Sequence, residues 1–296
     1  MDKLFDRKIS LSQFLGGLDL PLFSDPYLKV VSTRDKRSLF HYAVLENQLE
    51  LIKNLKMETS LLSRQDVFGL TPLELAQFLD RKECIRLLCR TLPQNSFCDQ
   101  PNLSLGQLDS KVFAGLEYLS HPIFESNEGL EAILQRVAKA KLEDKIPAEK
   151  IWMGIYFDKE IQRGYHPPIS IRYVDAEVGF GVFAELRIPP CGFLGEYTGV
   201  VQERKTKDLK DKRYCLRYTA WDVGNKNFVL NAEEKGNFTR LINHSAEPNL
   251  GLQSVFWRGL PRMIFVALKE ILPDTQLTFD YGNLFWKECH QTPKVL

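Results

Sequence analysis

Two polar runs near the end of the chain constrain it more than any other feature. They are Arg240-Leu-Ile-Asn243-His244-Ser245-Ala-Glu-Pro248-Asn249 and Leu277-Thr-Phe279-Asp280-Tyr281-Gly282. Each is dense in polar and small residues inside an otherwise apolar, strand-like stretch. A buried amide, imidazole or hydroxyl needs a hydrogen-bond partner. Asn-His-Ser in a near-core run therefore marks a place where the fold or its chemistry requires those groups.

Upstream, the texture is helical and repetitive. Residues 38–55 and 71–88 align at a period of 33. Ser38-Leu-Phe-His41-Tyr-Ala43 matches Thr71-Pro72-Leu73-Glu74-Leu-Ala76, and Leu51-Ile52 with Leu55 matches Cys84-Ile85 with Leu88. A 33-residue period with Thr-Pro-Leu and two short amphipathic helices is the ankyrin pattern. Stacked repeats usually need about three units to bury their faces. Residues 10–30 and 109–141 are expected to supply capping helices, with amphipathic segments at Val112–Leu119 and Glu128–Leu142. His41 is expected to stabilise a turn, and Cys84 and Cys89 to lie in the repeat core.

After Pro147 the apolar residues come in short β-rich runs: Ile151–Phe157, Ile169–Val174, Gly181–Ala184, Phe193–Val201, Phe228–Leu230 and Met263–Ala267. Such spacing argues a compact fold of small sheets, with a boundary near residues 145–150. The net charge of +1 supplies no global field towards nucleic acid or membrane. The cysteines at 84, 89, 98, 191, 215 and 289 form no Cys-x-x-Cys pair, so neither a zinc ribbon nor a disulfide framework is implied. That spacing suits a reducing compartment, cytoplasmic or nuclear. The first residues show no apolar signal segment, which leaves export by another route open, and no 18-residue apolar run suggests a membrane span.

Four motifs carry the chemistry. Glu177-Val-Gly179-Phe180-Gly181 reads alone as a plain β-turn whose glycines admit close approach of the backbone. Ile188-Pro-Pro-Cys-Gly192-Phe-Leu-Gly-Glu196-Tyr197-Thr-Gly199 reads alone as a turn feeding a strand. The two polar runs complete the set. In this order, over residues 168–286, the four resemble the signature of SET-domain protein lysine methyltransferases.

That resemblance implies transfer of methyl from S-adenosylmethionine to lysine. It implies a knot of the two polar segments, with cofactor on one side and a lysine channel on the other. On matched positions, Gly179, Phe180 and Gly181 would approach the methionine end of the cofactor, Asn243 and His244 would hold its polar groups, and Tyr214 would line its pocket. Phe285 or Trp286 would cover it from the tail. Tyr281 would orient the amine, Tyr197 would wall the channel, and Phe279 would leave room for di- or trimethylation. Many members have cysteine where this chain has Ala246, and the tail offers one cysteine and one histidine where a structural zinc wants four ligands. No zinc is expected. Val200 stands where glutamate often follows, with no assigned consequence.

Glu196 and Arg240 are charges in strand-like segments, and unpaired buried charge is expensive, so they are expected to pair with each other. The run Glu203–Arg213, with six positive and three negative residues, reads as a solvated face. The expected architecture is α+β: an N-terminal ankyrin-like helical repeat module followed by a C-terminal β-rich SET fold with a pseudoknot. Residues 1–106 are assigned to the repeats and their N-terminal cap, 107–148 to a helical cap or linker, and 149–296 to the methyltransferase domain and a short tail. The expected partners are a histone or other basic protein bearing the target lysine and a protein bound by the repeat module. Neither membrane nor direct nucleic-acid contact is expected. The competing reading is a non-catalytic adaptor that keeps a relic of the catalytic fold.

Overall fold

A computed structural model describes residues 35–55, 59–89, 115–203, 214–218, 221 and 228–282. The chain divides into two compact units, Met1–Cys98 and Asp99–Leu296.

The first unit is helical. Helices α1 (Leu39–Leu45), α2 (Leu49–Asn54), α3 (Thr59–Leu62), α4 (Pro72–Phe78) and α5 (Lys82–Cys89) follow one another. The pairs α1–α2 and α4–α5 start 33 residues apart, at 39 and 72 and at 49 and 82. Their starts are built alike. Thr71 Oγ1 accepts from Glu74 N (3.3 Å) while Glu74 Oε2 accepts from Thr71 N (2.8 Å), a reciprocal capping box with Pro72 in the first helical position. At the equivalent place His41 Nδ1 accepts from Ser38 N (3.1 Å). Leu39, Phe40, Ile52, Leu70, Leu75, Ala76, Cys84 and Leu88 fill the core. Cys89 is disulfide-bonded, a link that the cysteine spacing did not indicate; its partner lies outside the described residues.

His41 ties one helix pair to the other. Its Nε2 meets Leu70 O at 3.0 Å, just before α4. Burial, with Arg37 and Arg64 nearby, lowers its pKa to about 4 from 6.5, against smaller raising effects from the Leu70 bond and Asp35. The folded pKa lies below the unfolded one, so the fold binds fewer protons between these values. Its stabilising effect is complete above pH 6.5 and is lost as pH falls towards 4. Asp66, whose carboxyl burial pushes up, works in the opposite sense, so a variant must isolate the histidine. Hydrogen exchange at residues 39–89, compared between the unaltered chain and His41→Gln, should show His41 weakening the helical unit by roughly 3 kcal/mol between pH 7.5 and 4. His41→Gln should flatten that dependence, and an unchanged profile would contradict it.

The second unit mixes helices and sheets. Its strands are β1 (Glu117–Tyr118), β2 (Ile123–Phe124), β3 (Ile169–Asp175), β4 (Gly179–Ala184), β5 (Phe193–Glu196), β6 (Val200–Glu203), β7 (Cys215–Tyr218), β8 (Phe228–Asn231), β9 (Lys235–Gly236), β10 (Asn243–His244), β11 (Leu250–Trp257), β12 (Leu260–Ala267) and β13 (Thr278–Phe279). They form a five-stranded sheet, β10-β13-β11-β12-β5, a four-stranded sheet, β2-β6-β8-β7, and the pairs β1-β9 and β3-β4. Every residue of β12 is buried, as expected of an interior strand covered on both faces. Helix α6 (Asn127–Leu142) turns Leu130, Ile133, Leu134, Val137 and Ala140 inward, one face of a 3.6-residue period. Ser126 Oγ caps it by accepting from Gly129 N at 3.1 Å.

Three local expectations need correction. The run Ile151–Phe157 is not a strand; it lies largely in helix α7 (Ala148–Tyr156), followed by α8 (Asp158–Arg163). Its bulky side chains suggested β structure, yet Pro147 precedes three good helix formers and the apolar residues lack a two-residue alternation. Gly154 lets α7 lie directly on β11, where a Cβ would come within 1.8 Å of Phe256 O. The described part of Val112–Leu119 is not helical either: Gly115 has φ +87°, and Glu117–Tyr118 pairs with Lys235–Gly236. Finally, Phe193–Val201 is two strands rather than one. The chain leaves the five-stranded sheet after Glu196 and joins the other sheet at Val200, and Gly199 makes the corner passable because a Cβ there would sit 2.4 Å from Asn231 O.

Candidate active site

The corner at Tyr197 faces the two polar runs. β13 lies between β10 and β11 and runs parallel to both, with Asn243 opposite Thr278 and Phe279 opposite His244 and Leu250. The connection from β10 to β11, residues 245–249, therefore has to cross β13. Side chains hold the crossing closed. Asn249 Nδ2 donates to Gln276 O (2.8 Å), and its Oδ1 accepts from Thr278 N (2.9 Å). His244 Nδ1 accepts from Tyr281 N (3.2 Å). Asn243 Nδ2 donates to Phe180 O (3.1 Å) and so ties the crossing to β4.

The crossing has two sides. On one, a pocket of about 20 Å³ is lined by Tyr197, Cys215, Leu216, Arg240, Ile242, Phe279 and Tyr281. Tyr281 Oη donates to Ile242 O and Tyr197 Oη to Tyr214 O, each at 2.9 Å. The Phe279 ring lies between Phe265 (4.9 Å between centroids) and Tyr281 (4.7 Å). Burial pushes both phenols well above their ordinary pKa; for Tyr197 the neighbouring Tyr281 and Cys215 add to it, and for Tyr281 the neighbouring Tyr214 does. On the other side are Gly179, Phe180, Gly181 and Asn243. Gly179 has φ +78°, and no atom lies within 4 Å of where its Cβ would stand.

Of the residues singled out in the sequence, Tyr197, Phe279 and Tyr281 share the pocket. Tyr214 adjoins it through its carbonyl and its ring, which Arg240 covers at 3.7 Å. Gly179, Phe180, Gly181 and Asn243 gather on the far side, with His244 in the crossing between. Phe285 and Trp286 lie outside the described residues, as does most of Glu203–Arg213. Cys215, expected near the site without a nucleophilic role, lines the pocket; sequence reasoning missed Leu216 and Ile242, which contribute shape and a backbone carbonyl rather than a recognisable group.

Residues 179–282 match the family model described as SET domain. This segment is a SET domain. Among curated proteins, the human histone-lysine N-methyltransferase EHMT1 is 32% identical over 136 residues, covering 44% of this chain and 10% of that protein. Set2 of Drosophila melanogaster, also named a histone-lysine N-methyltransferase, is 36% identical over 109 residues, covering 36% of this chain and 5% of its own length. The H3 lysine-9 specific histone-lysine N-methyltransferase SUVH5 of Arabidopsis thaliana is 36% identical over 130 residues, covering 38% and 16%. The chain thus spans at most 16% of the length of these three relatives.

Behind the SET pocket, the expected Glu196–Arg240 pair is replaced by another. Glu196 takes a two-pronged bond from Arg262, with Nε and Nη2 each 2.5 Å from a carboxylate oxygen. Arg262 also donates to His121 Nδ1 (3.3 Å) and lies over the Trp257 ring. Burial pushes the Glu196 carboxyl up while Arg262 pulls it back, and burial beside Arg262 lowers His121 to about 3. Arg240 instead donates to Glu233 O (2.8 Å). β12 sits next to β5 and brings Arg262 to Glu196, which no reading of nearby sequence shows. A charge inside the apolar run 260–267 was the available signal.

The pair holds the pocket wall from behind. Glu196 O accepts from Asn237 Nδ2 (2.9 Å), at the start of the turn that carries Arg240 and Ile242, while Tyr197 N donates to Met263 O (2.7 Å). Removing one partner strands a buried charge. Arg262→Met alone should cost about 3–5 kcal/mol in denaturant unfolding. The double variant with Glu196→Leu should recover most of that loss; equal loss in both would contradict the pairing.

Proposed function

We propose that this chain is a protein-lysine N-methyltransferase using S-adenosylmethionine. One observation carries the proposal: the crossing places an aromatic pocket with two backbone-bound phenols on one side and an open glycine strand on the other. When bound, S-adenosylmethionine supplies an electrophilic sulfonium methyl group. The residues present fit it: Gly179 leaves open space beside β4, and Asn243 and His244 offer polar contacts.

The chain's own part is positioning and desolvation. Free lysine has a pKa of about 10.4, so a neutral amine at pH 7 costs roughly 4.6 kcal/mol. The rings of Tyr197, Phe279 and Tyr281 lower that cost by disfavouring the ammonium. Both phenols are kept protonated by burial. Each donates its proton to a carbonyl, so each oxygen presents lone pairs and can accept from the amine. The amine is thereby turned towards the other side of the crossing without a strong base. Phe279 carries no hydroxyl with which to hold a water in the pocket, which favours di- or trimethylation.

The protein substrate is proposed to be a histone or other basic protein, following the names of the relatives. The paired helices of the first unit are proposed to be ankyrin-like repeats that bind a protein partner. Their 33-residue spacing and matching helix starts support that reading.

Tyr281→Phe should lower kcat on the order of a hundredfold. Affinity for S-adenosylhomocysteine should hold, because the bond to His244 comes from the Tyr281 backbone. Near-normal turnover would refute the assigned role. Mass spectrometry should show di- or trimethyl product from the unaltered chain and a shift to monomethyl with Phe279→Tyr. Monomethyl product from both would remove the role of Phe279.

A further inference from the structure

Gln276 has its backbone fixed on both sides. Its carbonyl accepts from Asn249 (2.8 Å), and the next amide, Leu277 N, donates to Val182 O (2.7 Å). It also bridges Phe183 of β4. Main-chain rotation therefore cannot turn its side chain away from β4. The carboxamide reaches Gly181, where an added Cβ would stand 2.6 Å from Gln276 Nε2 and 3.0 Å from Asn243 Nδ2. Gln276 Nε2 is buried and has no hydrogen-bond partner among the described residues.

A buried amide nitrogen without an acceptor is costly, so its persistence calls for an explanation. Here a second amide points to one. Asn243 Nδ2 uses one of its two protons on Phe180 O and has another left. Two donor nitrogens therefore converge beside Gly181. Within S-adenosylmethionine the ammonium and sulfonium are cationic, and the ribose hydroxyls both donate and accept. The carboxylate is the anionic, acceptor-only group, and its two oxygens suit two donors.

We propose that Gln276 is a binding residue for the carboxylate at the amino-acid end of S-adenosylmethionine, with Nε2 as donor beside Asn243. The inference rests on the methyltransferase reading above. Calorimetric titration of the full chain tests it with two ligands, S-adenosylhomocysteine and 5′-deoxy-5′-methylthioadenosine, the second lacking the amino-acid end. Gln276→Met should weaken S-adenosylhomocysteine about tenfold and leave the truncated ligand within about twofold of the unaltered chain. Gln276→Glu, nearly the same shape, should weaken S-adenosylhomocysteine further by repulsion, and it carries the test if the methionine variant does not fold. Unchanged S-adenosylhomocysteine affinity in the variants, or equal loss of both ligands, would overturn the assignment of Gln276 alone. Failure of the unaltered chain to bind either ligand would remove the cofactor reading and this inference with it.

Discussion

The second unit depends on one side chain acting as backbone. Asn249 donates to Gln276 O and accepts from Thr278 N, which is how a strand residue pairs with its neighbour. This lets the chain pass from β10 to β11 over β13 with the crossed strand's polar groups satisfied in an interior where an unpaired one is costly. His244 adds a second such bond, to Tyr281 N. They reinforce the β10–β13 pairing that fixes the segments bearing Asn243 and Tyr281 relative to each other.

The polar groups around the crossing fall into two sets. Asn249, Asn237 and Thr198 bond carbonyls or amides of the main chain and hold walls in place. Gln276 Nε2 and Arg240 Nε are buried without partners among the described residues, and they flank opposite sides of the same crossing. The Glu196–Arg262 pair belongs to the first set, although it is ionic. Its geometry satisfies both charges, and its main consequence for the site is to anchor the corner from which Tyr197 enters the pocket.

Much of this was legible in the chain because the informative residues are locally improbable. Asn243-His244 and Asp280-Tyr281 stand out where a strand would be apolar, and the order of the four motifs relates them to one another. The helix pairs were legible through a 33-residue period and the Thr71-Pro72 start. What escaped had non-local causes. Where the helix over Ile151–Tyr156 packs escaped because Gly154 rests on β11, far along the chain. Glu196 finds Arg262, 66 residues away, because β5 and β12 are neighbours. Ile242 enters the site through a carbonyl that every residue carries. The bond between Tyr281 N and His244 was equally invisible, since backbone amides leave no mark on sequence.

The most direct measurement of the central claim is methyl transfer itself. The full chain would be incubated with S-adenosylmethionine labelled on its methyl group and a panel of histones and other basic proteins, and the products mapped by mass spectrometry. The two-sided crossing predicts label on the side-chain nitrogen of lysine, with dimethyl or trimethyl product among the species. Binding of the cofactor with no label on any lysine across the panel and a cell lysate would contradict it.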